Sequence, residues 1–123
     1  LIVNPVSNVS CPQLSPVWRE CFRVLRSGGA LLVGFMNPDL YIFDVEALEE
    51  RGELVVRHSI PRCTADEGAY EDCPIEYSHT MTEQIGGQLQ AGFILTHFTE
   101  APHHADATAQ YLPGYFATRA VNP

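Results

Sequence analysis

The stretch from Trp18 to Gly34, WRECFRVLRSGGALLVG, constrains the fold more than any other part of the chain. It reads as a helix, a glycine stop and a buried strand. Ser15 and Pro16 make an N-cap and first-turn pair. Trp18, Phe22 and Leu25 share one helical face, and Arg23 and Arg26 lie near the C-terminus, where the helix dipole favours cations. Gly28 and Gly29 can supply the left-handed residue that ends the helix. From Ala30 to Met36 every non-glycine position is apolar, as expected of a strand covered on both faces of a parallel sheet. Helix, tight turn and unalternated strand together make half of an α/β repeat.

The rest of the chain adds further elements. LIVNPVSNV opens as a short core strand running into a polar loop. After the second strand, Asn37-Pro38-Asp39 breaks the structure, and Asp44 caps a short helix through Glu50, closed by Gly52. Leu54, Val56, His58 and Ile60 alternate with Val55, Arg57 and Ser59, which predicts a strand over 53–60. Arg62 to Pro74 is acidic and reads as a mobile loop. Ile75 to Ser78 reads as a second short strand pairing with 53–60. Thr80 and Glu83 form a capping box for a helix carrying Ile85 and Leu89 and ending at Gly92. Phe93 to Glu100 and Tyr115 to Val121 are the final strands, joined by a His- and Ala-rich connection that can be disordered. No internal repeat is present. Gly86-Gly87-Gln88 matches a tripeptide of peptide-release factors, but it lies in a helical pattern, where that role has no solvent loop to work from.

Composition narrows the function classes. The 123 residues, 46% hydrophobic, fit one domain or part of one. Net charge is -8, from 15 acidic against 7 basic residues, all of them arginine. That balance argues against a nucleic-acid partner, which clustered Lys and Arg would serve. No run reaches the ~18 apolar residues of a membrane-spanning helix, and no signal-peptide pattern opens the chain. Cys11, Cys21, Cys63 and Cys73 lack CxxC spacing and read as reduced thiols of a cytoplasmic protein, with Cys63 and Cys73 the one pair left open. His58, His79, His97, His103 and His104 have no metal-site spacing, so no metal is expected.

The pattern FRVLRSGGALLV resembles the helix-to-strand signature of class I S-adenosylmethionine-dependent methyltransferases, leading into their fifth strand. Three more segments are similar in the family's order. LIVNPVSNV resembles the fourth strand and its loop, LQAGFILTHFTEA the last helix and sixth strand, and GYFATRAVNP the closing antiparallel strand. The resemblance implies an α/β fold: the C-terminal half of a Rossmann-like mixed sheet, with strands in the order 4-5-7-6. It spans residues 1–123 apart from a small substrate-covering insertion at about 38–79. No Gly-rich turn after a first strand occurs, nor the acidic residue that comes after the second. The chain is therefore expected to be a fragment of a longer enzyme, inactive alone, its cofactor-binding N-terminal half absent.

In open α/β sheets, ligands sit beyond the carboxyl ends of the strands. That places Asn4 to Asn8 and Asn37 to Tyr41 at the mouth. The resemblance implies S-adenosylmethionine as cofactor, with Asn4, Pro5 and Val6 beside its methionine part. NPVS only partly matches the Asn-Pro-Pro-aromatic motif of family members that methylate amides or amines, so amide methylation does not follow. Asn8, Asn37, Tyr41, Phe43 and Tyr77 are the candidate contacts for a small-molecule acceptor. His79 is a candidate base, because imidazole titrates near neutral pH. Each also has a plainer reading: Asn4 and Asn8 as loop residues satisfying backbone groups, and His79 with its aromatic neighbours as a local mini-core. Methyl transfer needs in-line positioning and exclusion of water more than a fixed catalytic triad.

Two other functions fit the same residues. One is a non-catalytic, methyltransferase-like binding or association module. The other is a different nucleotide-binding enzyme such as a dehydrogenase, against which the antiparallel last pair of strands counts. An apolar first strand lacking one neighbour is a template for association, so the isolated chain is expected to self-associate.

Overall fold

The computed structural model describes residues 1–60, 63, 75–103 and 107–123. Its elements are β1 (Ile2–Pro5), α1 (Ser15–Val24), β2 (Ala30–Met36), α2 (Val45–Arg51), α3 (Gly87–Gln90), β3 (Ile94–Ala101) and β4 (Tyr115–Val121). The four strands form one sheet in the order β1-β2-β4-β3. β1 is parallel to β2, and β4 runs antiparallel to both β2 and β3. This is the mixed sheet expected from the family resemblance, with the reversed strand inserted between the second and third.

One sheet face holds the core. Leu31, Val33 and Phe35 of β2 stand opposite Ala120, Thr118 and Phe116 of β4, and all six are buried. Trp18, Leu14 and Leu25 from the α1 region and Phe93 join them. Phe22 meets Phe93 edge-on, with ring centroids 5.1 Å apart. The opposite face is more open: Val3, Leu32 and Ile94 are 58%, 36% and 55% exposed. Residues 30–36 are thus covered fully on one face only. Among the described residues, β1 pairs on one side alone, with β2.

Both ends of α1 depart from expectation for the same reason: tertiary contacts outweigh local cap preferences. Ser15 is already helical, and Leu14 takes the N-cap place, its carbonyl accepting from Trp18 N–H at 3.0 Å. Burial of the Leu14 side chain sets that start. The helix stops at Val24, because Leu25 turns extended to enter the core. The Asn122 side chain, from the end of the chain, donates to the carbonyls of Phe22 and Leu25 at 3.1 and 2.7 Å. Gly28 then turns the chain with φ +75°, beyond the helix end at Val24. Gly29 is needed for space, since a Cβ there would lie 2.7 Å from the Arg26 carbonyl.

The insertion differs more. Asp44 caps α2 as expected, accepting from Ala47 N–H at 2.8 Å, and Gly52 closes it in the left-handed region. Residues 53–60 are not a strand. They fold back on 42–44 through Asp44 N–H to the Val55 carbonyl at 2.8 Å and a single Phe43–Val56 bridge. Leu54, Val55 and Val56 are all exposed, so the alternation has no face to bury and no ladder grows. Residues 75–78 do not pair with that segment either; Tyr77 bridges Cys63, and its N–H donates to the Val9 carbonyl at 2.8 Å. The predicted loop 62–74 falls outside the described residues except for Cys63, as do Cys73 and His104. Cys11, Cys21 and Cys63 are free thiols. The described part of the β3–β4 connection includes a 3-10 turn over Ala107–Gln110.

Thr80 and Glu83 form the reciprocal capping box, with bonds of 2.9 and 3.2 Å. The chain then widens into a π-turn over Thr82–Gly86 before the short α3, which Gly92 ends at φ +106°. Gly87 lies against Trp18, where a Cβ would come 2.4 Å from the indole. That close approach explains the second glycine of Gly86-Gly87-Gln88. Of the two apolar residues that this segment carries, Leu89 is exposed, while Ile85 packs against the core.

Candidate cofactor and acceptor site

The loop leaving β1 is held in an unusual shape. Val6 is the one non-glycine residue with positive φ among the described residues, at 61°. A β-branched side chain there carries strain of about 1–3 kcal/mol. The loop keeps this turn because Val6 N–H donates to the Gly34 carbonyl of β2 at 2.8 Å, and because Asn8 is locked behind it. Asn8 is fully buried; its Oδ1 accepts from Asn4 Nδ2 at 2.9 Å and its Nδ2 donates to Gln84 Oε1 at 2.7 Å. Ser7 Oγ donates to Asn4 Oδ1. Asn4 stays half-buried and Pro5 is exposed.

His79 is buried against the same loop. Its Nε2 lies 3.2 Å from the Asn8 carbonyl and 2.8 Å from the Cys11 carbonyl. Both partners are acceptors, so Nε2 carries the proton and donates. Nδ1 lies 3.9 Å from Glu83 Oε2. The structure therefore gathers Asn4, Asn8, Tyr77, His79 and Gln84 around one loop.

Asn37 and Tyr41 stand at the end of the neighbouring strand. Asn37 is buried and committed to the fold: Oδ1 accepts from Asp39 N–H at 3.0 Å, Nδ2 donates to the Pro113 carbonyl at 2.8 Å, and its N–H donates to the Gly114 carbonyl at 2.8 Å. Tyr41 is partly exposed, with its hydroxyl 3.1 Å from Glu76 Oε2 and 3.4 Å from Met36 Sδ. Phe43 is buried at the bridge to Val56. Pro113 also lines an open groove with Glu100, Pro102, Tyr111 and Leu112 at the carboxyl end of β3, which sequence reasoning did not single out.

Sequence reasoning also missed Gln84, Gln88 and Thr118. All three are buried, and Thr118 Oγ donates to Gln88 Oε1 at 3.0 Å while Gln88 Nε2 donates to the Gln84 carbonyl at 3.0 Å. The available signal was two glutamines four residues apart in a helix pattern and a threonine within an apolar strand. Electrostatics at the rim is local. The Ala47 N–H donated to Asp44 holds its carboxyl below the usual aspartate range, helped by Arg57, whose Nη1 lies 2.6 Å from Oδ2. Burial pushes the Cys21 thiol up. Among the described residues, no three His, Cys, Asp or Glu side chains cluster to hold a metal, and no helix is long and apolar enough to cross a membrane.

Over 134 aligned positions the chain is 42% identical to the uncharacterized methyltransferase YbaJ of Bacillus subtilis (strain 168), covering 98% of this chain and 50% of that protein. It thus spans half the length of the curated relative it matches. A crystal structure from Listeria monocytogenes, assigned as an S-adenosylmethionine dependent methyltransferase, superposes with TM-score 0.72 at 13% identity, covering 98% of this chain and 60% of that one. The S-adenosylmethionine dependent methyltransferase from Mesorhizobium loti gives TM-score 0.66 at 12% identity, covering 97% and 59%. At such identities the two structures show the fold alone. No family model matches the chain. The chain is thus similar in sequence to a methyltransferase, and its mixed sheet matches the carboxyl-terminal part of a methyltransferase Rossmann-like fold.

Proposed function

We propose that the chain supplies the acceptor side of an enzyme that transfers a methyl group from S-adenosylmethionine to a small molecule, and that it is inactive without the rest of the domain. The observation that supports this most is the 42% identity to a methyltransferase over 98% of the chain. The residues present fit one end of the cofactor. Asn4, at the carboxyl end of β1, retains one amide proton and one carbonyl lone pair beyond its bonds to Asn8 and Ser7. Those suit the ammonium and carboxylate of a methionine moiety, with Pro5 and Val6 as apolar walls.

When bound, S-adenosylmethionine supplies a sulfonium-activated methyl group open to in-line displacement by the acceptor. The chain's task is then to orient the acceptor and exclude water. We assign direct acceptor contact to Tyr41 and Tyr77, the partly exposed members of the candidate set. Asn8, Asn37 and Phe43 shape the mouth from behind. His79 holds the loop through Nε2, so any proton it accepted would have to enter at Nδ1. The acidic charge favours a small molecule over a nucleic acid. We place the protein in the cytoplasm, where free thiols such as Cys11, Cys21 and Cys63 persist.

A second reading, a non-catalytic association module, draws on the exposed apolar sheet face and the single-sided β1. Incubating the complete natural protein with methyl-labelled S-adenosylmethionine and fractionated cell extract separates the two. Label in the small-molecule fraction is the expected result. Label confined to nucleic acid or protein contradicts the acceptor class, and no label in any fraction favours the association module.

A further inference from the structure

We propose that Gln84 is a positioning residue that orients Asn4 toward S-adenosylmethionine through Asn8; this rests on the function proposed above. Two side-chain hydrogen bonds tie Gln84 Oε1 to the cofactor-side loop, and two more, through Gln88, hold the Gln84 backbone to the middle of β4. Thr118 donates to Gln88 at 3.0 Å, Gln88 to the Gln84 carbonyl at 3.0 Å, Asn8 to Gln84 Oε1 at 2.7 Å, and Asn4 to Asn8 Oδ1 at 2.9 Å. Thr118, Gln88, Gln84 and Asn8 are buried; Asn4, at the end of the line, is half-exposed.

A chain of this kind is a poor way to gain stability, since apolar residues of equal shape fill a core at least as well. It is an effective way to fix direction. Asn8 and Gln88 are each committed at both ends, and Asn4 is held through its nitrogen by Asn8 and through its oxygen by Ser7, which sets its orientation and leaves it one proton and one lone pair. The surroundings keep the line taut. Gln84 sits in a π-turn, a local widening frequent at functional sites, and Trp18 Nε1 pins the preceding carbonyl of that turn, at Glu83, at 2.8 Å. His79 fixes the Asn8 backbone from the other side at 3.2 Å. The strained Val6 turn lies between Asn4 and Asn8, so releasing Asn8 frees the loop to relax.

The test is S-adenosylhomocysteine binding by calorimetry in the complete natural protein, with melting temperature measured alongside. Gln84→Met keeps side-chain length and removes the acceptor; its dissociation constant should rise about ten-fold, the scale of one misplaced orienting group. Gln84→Glu retains an oxygen for the Asn8 amide and should restore most of that affinity, which a purely packing role does not predict. If Gln84→Met does not fold, Asn8→Asp decides by the same measurement. It keeps the acceptor for Asn4, loses the donor to Gln84, and should also weaken binding. Folded variants that bind as tightly as the unaltered protein overturn the relay alone. Absence of binding by the unaltered protein overturns the functional reading, and the relay with it.

Discussion

Two adjacent glycines show how single residues govern this fold. Gly28 is at φ +75° with open space around it, whereas Gly29 is hemmed in by the Arg26 carbonyl and Leu25. Gly28→Val should therefore cost about 1–3 kcal/mol through backbone strain, lowering the melting temperature of the complete protein by several degrees. An unchanged melting temperature would contradict the left-handed assignment. Asp44 gives a second prediction, with its sign set by linkage. Its folded pKa lies below the unfolded one, because the carboxylate accepts from Ala47 N–H and faces Arg57. Its contribution is present above the unfolded aspartate pKa and is lost as pH falls through the lower folded value. Asp44→Asn keeps a cap but loses the ionisation, so melting temperature should fall less steeply below about pH 4 than in the unaltered protein. Parallel acid limbs would contradict this. The need for a glycine pair was legible in the sequence, but its division into one conformational and one steric role was not. Only the path of Leu25 into the core decides that.

At the scale of elements, what could be read was what local chemistry dictates. The Thr80–Glu83 box, the Asp44 cap and the apolar run 30–36 each depend on residues a few positions apart, and each formed. Residues 53–60 carry a strand pattern without a partner, and a pattern needs a surface to bury against before it becomes a ladder. The π-turn at Thr82–Gly86 was equally hidden, because its causes are the Trp18 indole and the Asn8 amide, distant in sequence. For the site, the family resemblance pointed to the loop Asn4 to Asn8 as the expected cofactor side. It could not show that Asn8 faces inward, since its partner Gln84 lies in the π-turn, 76 residues along the chain. Asn37 reads as a mouth residue in sequence, yet its side chain is spent on the Pro113 carbonyl and Asp39 N–H.

At the level of the whole molecule, both outer strands of the sheet, β1 and β3, pair on one side only among the described residues, and one sheet face is more open than the other. β1 pairs only with β2 among the described residues, and Val3, Leu32 and Ile94 leave an apolar face uncovered. An open edge beside an apolar face is a template for association. Residues 1–123 alone should therefore self-associate in light scattering, while the complete protein stays dispersed. A monodisperse monomer of the isolated chain at high concentration would contradict the half-sheet reading. On the function proposed above, these residues hold one side of an S-adenosylmethionine site that the other half of the domain completes. Calorimetric titration with S-adenosylhomocysteine, run on the complete natural protein and on residues 1–123, tests that most directly. Binding by the complete protein with none by the isolated chain is the predicted result, and micromolar binding by residues 1–123 alone, or no binding by either, would contradict it.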